Sequence, residues 1–299
     1  MSGVLAAVLA AVLSTALGGT AIVATRFLGG AADPITIGVL RFGGGAVLLL
    51  PLAFLKGEQW PSRGDWPAGI GLALLFFVLF PVLFNAALIY TTAARGALAL
   101  STTPLITMLI AALLRIEPLT ARKSLGLVLA MGGVVTALAA SLPVSPPGAW
   151  RGDAMMLAGA ACMALYTVWS RPLIVRSGPI AFAVTGMVIG AVCLGAVSWA
   201  TGGIEAVTVF GRPQWGAAFY LATVCGAGIY YLWSFALGTV SPTIVALTVT
   251  VNPITAAIFG ALVLGERIHL SLAVGLLGVT AGIWIAVGLR LPALRNRQP

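Results

Sequence analysis

Apolar stretches of about 18 to 25 residues, each long enough to cross roughly 30 Å of hydrocarbon as a helix, alternate along this 299-residue chain with short clusters of charge, proline and glycine. Ten can be read, at 3–25, 33–55, 67–91, 95–114, 122–141, 153–172, 178–200, 213–237, 241–264 and 271–289. The connection from Ser141 to Asp153, SLPVSPPGAWRGD, is the most loop-like stretch and divides the chain in two. Five spans per half is an odd number, so the second half must start from the opposite side of the membrane. The pattern predicts an all-α membrane protein: ten transmembrane helices as two inverted five-helix repeats, residues 1–141 and 153–289, joined by a loop at 142–152 and followed by a tail at 290–299.

Internal similarity supports the repeat. Residues 103–133 align without a gap on 252–282, so that Pro104 meets Pro253, Glu117 meets Glu266, Gly126 meets Gly275 and Gly133 meets Gly282, all 149 residues apart. The openings of the halves also correspond, at an offset of 145: Arg26 with Arg171, Pro34 with Pro179, Gly45 with Gly190. The change of offset predicts a difference in length within the third or fourth span. Paired prolines inside apolar spans are a mark of carriers built from two repeats.

Composition removes the soluble alternatives. A chain that is 60% hydrophobic and 8% charged, with a mean hydropathy of +1.09, could not stay in water without large exposed apolar patches. Its net charge of +9 has to be sorted by loop before it means anything. With the N-terminus inside, one side holds Lys56, Arg63, Arg115, Arg122, Lys123, Arg171, Arg176, Arg290, Arg295 and Arg297, and the other Arg26, Arg95, Arg151, Arg212 and Arg267. That bias places both termini in the cytoplasm and makes the basic tail a topology anchor, with the lipid bilayer rather than nucleic acid as its partner. The opening 25 residues read as an uncleaved first helix, because they lack a basic leading region. Cys162, Cys193 and Cys225 lie inside spans as packing residues, and His269, the only histidine, has no ligand partners at metal spacing. Neither catalysis, nor a metal, nor a cofactor, nor an obligatory protein partner is expected.

The five-plus-five layout, the P-x(12)-E spacing in both halves (Pro104 to Glu117, Pro253 to Glu266) and Arg41 early in the second span together resemble the EamA-type family of the drug/metabolite transporter superfamily. Within it the chain looks like the aromatic amino-acid exporters of the YddG type. The resemblance covers essentially the whole chain. It implies an inner-membrane carrier that exports small amphipathic metabolites, aromatic or other bulky amino acids foremost, by alternating access. One departure is the run LLRIEP, where the pattern favours Leu-Gly-Glu, so only Gly265-Glu266 is complete.

Candidate site residues follow from polarity inside the spans. A proline in a helix interior frees the carbonyl four residues earlier, so Pro104 and Pro253 should release those of Leu100 and Val249 near the midplane, beside Thr103 and Asn252. Such backbone must face protein or a wet cavity. Asn85 supplies a further amide, and Tyr166, Trp169, Tyr230, Trp233 and Ser234 an aromatic, weakly polar wall. Arg41, about 12 Å along its helix from Asp33, reads either as a partner for a substrate carboxylate or gate, or as a structural bond to carbonyls. Glu117 and Glu266 are expected to cap turns or pair with Arg122, Lys123 and Arg267. All seven acidic residues fall in loops or at span ends, which predicts a facilitator without proton coupling. A proton-coupled drug or metabolite exporter and a membrane-embedded lipid-modifying enzyme are the competing readings.

Overall fold

The computed structural model describes residues 2–115, 120–141, 145–268 and 270–287, so Glu117, His269 and the basic tail lie outside the described residues. Regular structure among the described residues is helical throughout. The rods are α1 (Ser2–Leu28), α2 (Pro34–Leu55), α3 (Arg63–Tyr90), α4 (Ala93–Leu113), α5 (Ala121–Ser141), α6 (Ala149–Arg176), α7 (Pro179–Ala200), α8 (Arg212–Thr239), α9 (Pro242–Leu264) and α10 (Leu270–Val287). Eight, all but α5 and α10, are long and apolar enough to cross a membrane; in α5 and α10 the apolar runs cover Ser124–Ala139 and Ala273–Gly282.

Local chemistry sets the helix ends. Asp33 accepts from the N–H groups of Ile35 (2.9 Å) and Thr36 (3.1 Å), and Pro34 follows as the first helical residue of α2. Helix α6 begins at Ala149, before the expected residue 153, because Gly148 takes a left-handed turn at φ 81°. It also runs past Pro172, to Arg176, and closes on Leu173, whose carbonyl accepts from Ser177 through both its N–H (2.9 Å) and its hydroxyl (2.8 Å). Where α9 ends on Gly265 at φ 66°, the left-handed position after α4 is occupied by Arg115 at φ 57°. A left-handed residue other than glycine is mildly strained; at the 149-residue offset Gly265 matches Ile116, which lies outside the described residues.

Helix α1 lies against α8 and α9, α2 against α7 and α8, α3 against α6, and α4 against both α6 and α9. Helices α5 and α10 pack mainly on each other through Gly133 and Gly278, whose backbones approach so closely that a Cβ on Gly278 would lie 2.9 Å from Gly133 Cα. The periphery is apolar: Val47, Val192, Leu262 and Leu277 are 65 to 76% exposed. A water-facing domain would not carry such a surface, whereas hydrocarbon accepts it.

Helices α3 and α8 each contain a π-helical segment, Leu74–Leu79 and Leu221–Gly228. In α3 the cause is legible, because Pro81 cannot donate to the carbonyl of Phe77. That carbonyl lies against Gly190 of α7, 2.6 Å from where a Cβ would be. The π segment of α8 meets Gly45 of α2 in the same manner, a Cβ on Gly45 falling 3.0 Å from the carbonyl carbon of Gly226. Gly45 and Gly190, matched in sequence, therefore do the same job, each letting its helix press on a π segment from the other half. The two segments, of six and eight residues, lie in the third span of each half, one of the two spans within which the offset is expected to change.

Candidate functional site

At the centre of the bundle lies a cavity of about 50 Å³ bordered by α1, α2, α3, α4, α6, α8 and α9. Its aromatic wall is a stripe on α3, Phe76, Phe80 and Phe84, four residues apart and therefore on one helix face. Tyr166 stacks behind Phe76 at 4.1 Å between centroids, and Phe42, Phe77 and Tyr230 complete the cluster in edge and tilted contacts. Such pairs each add about 0.5–1.5 kcal/mol beyond burial, so the wall is stiff. The cavity holds a few waters at most, well below the roughly 300 Å³ of a drug-sized site. Anything larger could enter only if the helices parted.

Arg41 reaches this cavity from α2 and is only 6% exposed. Its Nε and Nη2 share one distant acceptor, the carbonyl of Cys225 in the π segment of α8, at 3.4 Å each. Three rings flank its guanidinium, Phe42 and Tyr230 at 5.6 Å and Phe84 at 6.0 Å. Cation–π contacts of this kind supply about 0.5–2 kcal/mol, which is less than the several kcal/mol that removing an ion from water costs. Among the described residues Arg41 has no acidic partner.

Pro104 and Pro253 are handled differently. In α4 the carbonyl of Leu100, freed by Pro104, accepts from the hydroxyl of Thr103 at 2.6 Å, and Ser101 and Thr102 return their hydroxyls to Ala97 and Ala99. In α9 a 3₁₀ turn, Thr248–Val251, precedes Pro253, and the N–H of Asn252 takes the carbonyl of Val249. The side chain of Asn252 is left over. Its Oδ1 is buried without a partner, as is Nε1 of Trp233, and both residues line the cavity. Gly18 of α1 makes the room, since a Cβ there would stand 3.0 Å from Asn252 Oδ1.

Of the residues singled out from sequence, the cavity gathers Arg41, Tyr230, Trp233 and Asn252. Asn85 stands apart, donating to the carbonyl of Pro34 at 2.7 Å and so tying α3 to the start of α2. Thr103 is engaged within its own helix, Tyr166 supports the wall from behind, Trp169 is on the surface at 45% exposure, and Ser234 is buried outside the lining. Ser14, Thr15, Phe76, Phe80, Phe84 and Met163 line the cavity without having been candidates. The four-residue spacing was the signal that could have pointed to the phenylalanines, and polarity inside the first apolar span the one for Ser14 and Thr15.

Both ends of the bundle are tied by polar contacts. Where α1 gives way to α2, Glu266 pairs with Arg26 at 2.6 Å and accepts from the N–H of Ala93, the first residue of α4, at 3.1 and 3.0 Å. Capping was one of the two expected roles; the expected ion pair with Arg267 is corrected to one with Arg26. A helix N-terminus with an arginine beside it is a stronger anion site than the neighbouring exposed side chain. Arg26 also donates to the carbonyls of Leu88 (2.7 Å) and Thr91. Beside it, Arg95 and Asp153 form a buried ion pair that Thr91 joins through its hydroxyl at 3.2 Å. At the opposite end Arg171, the counterpart of Arg26, donates to the carbonyl of Val240 at 3.3 Å, and Glu58 caps α7 through the N–H groups of Ile180 (2.7 Å) and Ala181 (2.9 Å). Arg176 pairs there with Asp65 at 2.5 Å. Among the described residues no cluster of histidine, cysteine or carboxylates could hold a metal ion.

A sequence model of the EamA-like transporter family matches residues 1–139 and again 150–288. An uncharacterized transporter of Bacillus subtilis is 26% identical over 271 residues, covering 89% of this chain and 88% of its own. An uncharacterized protein of Pseudomonas aeruginosa is 31% identical over 87% of this chain and 86% of its own, and an uncharacterized transporter of Archaeoglobus fulgidus 27% identical over 85% and 87%. Among solved structures, one titled only as the crystal structure of a protein superposes with a TM-score of 0.68 at 18% identity, over 98% of this chain and 99% of that one, which shows a shared fold.

Proposed function

Since the chain belongs to the EamA-like transporter family, we propose that it is a ten-span, inverted-repeat carrier in the cell inner membrane that exports small amphipathic metabolites, aromatic or other bulky amino acids foremost, by alternating access. The observation that carries the proposal is the central cavity, where a phenylalanine stripe faces Arg41 and the unpartnered polar atoms of Trp233 and Asn252. An apolar chamber with a few oriented polar groups suits a ligand with a bulky body and a polar head. The paired roles of Gly45 and Gly190 and of Arg26 and Arg171, together with the twofold family match, favour two repeats of opposite orientation. Polar ties at both ends of the bundle would then open in turn.

No carboxylate among the described residues lines the cavity. Asp33 and Glu58 cap helices, while Asp65, Asp153 and Glu266 are paired with arginines. A proton relay would have to be built from such groups, so movement down the substrate gradient without obligatory proton exchange is the reading these contacts favour. Counterflow in proteoliposomes, with labelled amino acids, amines and nucleotide sugars, tests it. Bulky amino acids should exchange at a rate unaffected by a protonophore, and Asn252→Leu should reduce that rate by at least about tenfold, the scale of one lost hydrogen bond. Asn85→Leu should instead lower stability and leave apparent affinity in place. Uphill accumulation that collapses with the protonophore would reject the facilitator.

Orientation has its own test, resting on the charge bias of the loops. In a cysteine-free background, cysteines at Ser145 and Gly211 should react with an impermeant thiol reagent from outside intact cells, and one at Gln298 should not. Labelling at residue 298 would reverse the topology.

A further inference from the structure

Resting on that carrier reading, we infer that the cavity selects its ligand through a carboxylate and is indifferent to an amine, so that small monocarboxylates with an apolar body are its ligand class and amino acids are one case of it. Among the described residues, Arg41 carries the only charge in the lining. Its guanidinium, 6% exposed, spends two N–H groups on a single carbonyl at 3.4 Å, beyond the usual 2.7–3.2 Å range, and has aromatic faces rather than an anion around it. A planar guanidinium in that state is matched by a carboxylate, which takes two parallel N–H bonds and retains lone pairs for a further donor. Trp233 Nε1, buried without a partner on the same cavity, is such a donor.

The opposite charge finds much less. An ammonium group would meet only neutral acceptors, Asn252 Oδ1 and the hydroxyls of Ser14, Thr15 and Tyr230, no carboxylate among the described residues of the lining, and the like charge of Arg41 across a low-dielectric space. The ammonium of an amino acid is therefore tolerated rather than required, while an amine lacking the carboxylate is repelled. Diphosphates are also excluded, since two or more negative charges would be matched by one cation. The phenylalanine stripe supplies the complementary apolar face.

The test is a titration of the purified protein in detergent, at neutral pH, with three probes of one skeleton: L-phenylalanine, 3-phenylpropionate and phenethylamine. The two acids should bind within about tenfold of each other and the amine at least about tenfold more weakly than either. Arg41→Gln should weaken both acids by about tenfold or more and erase their advantage over the amine, whereas Arg41→Lys should preserve the preference. Should Arg41→Gln fail to fold, the probe series on the unaltered protein still decides. Phenethylamine binding as tightly as phenylalanine, or unchanged acid affinity in Arg41→Gln, would overturn the inference and leave an amino-acid carrier standing. Absence of binding by all three would overturn the inference together with the bulky-amino-acid reading beneath it.

Discussion

Asp153→Asn should destabilise the protein by about 3–5 kcal/mol, the cost of leaving a buried charge without its partner. Arg95 and Asp153 have side chains only 2% and 9% exposed, and Arg95 additionally donates to the carbonyl of Leu138 at 2.8 Å. One ion pair thus joins the start of α4, the end of α5 and the start of α6. The control is the pair at the other end of the bundle, Arg176 with Asp65, whose arginine is 58% exposed. Screened by solvent, such an exposed pair contributes little, so Asp65→Asn should be nearly silent. Thermal unfolding of the purified variants in detergent, followed by tryptophan fluorescence, separates the two. The double change Arg95→Met with Asp153→Leu should recover most of the loss, because apolar groups of similar volume pay no desolvation cost. Equal effects of Asp153→Asn and Asp65→Asn would show that the buried pair does not hold the bundle.

Much of the bundle was legible in the sequence, because hydrocarbon imposes one rule on every span. A polar interruption such as Lys56 to Pro61 or Thr201 to Arg212 has to be a connection between helices. Arg41 and Asn252 stood out for the same reason: polar groups are rare in apolar runs, and each reaches the cavity. The phenylalanines of α3 did not, since an aromatic facing a cavity and one facing lipid look alike until the neighbours are known. Asn85 and Thr103 show the limit of polarity as a signal. Each found an acceptor near at hand, the carbonyl of Pro34 and that of Leu100, and was thereby used for architecture. Arg95 and Asp153 were hidden differently, both lying near span ends where a charge ordinarily meets water, while the packing of α4 on α6 buries them. The π segments leave no mark on composition, and Pro81 accounts only for the one in α3.

Gly226→Ala should cost about 1–3 kcal/mol, the range for forcing a methyl group into a filled interior, although alanine ordinarily favours a helix over glycine by up to about 1 kcal/mol. The new Cβ would lie 2.4 Å from the carbonyl oxygen of Arg41 and 3.1 Å from that of Leu221. Neither is the end of a flexible side chain, so relief requires α2 and α8 to move apart where Arg41 enters the cavity. Gly190→Ala should behave alike, its Cβ meeting the Cβ and carbonyl oxygen of Phe77 at 2.6 Å, behind the aromatic wall. The same helices contain their own controls. Gly216 in α8 and Gly195 in α7 have nothing within 4 Å of an added Cβ, so alanine there should be neutral or mildly stabilising. The four single variants, compared by thermal unfolding in detergent and by counterflow rate, separate close approach from helix propensity. Loss confined to positions 190 and 226 would fix the two helix crossings as the contacts on which both the cavity wall and the placement of Arg41 depend. Equal behaviour of all four would mean that the π segments yield to a methyl group, and that the crossings slide too freely to hold the cavity in one shape.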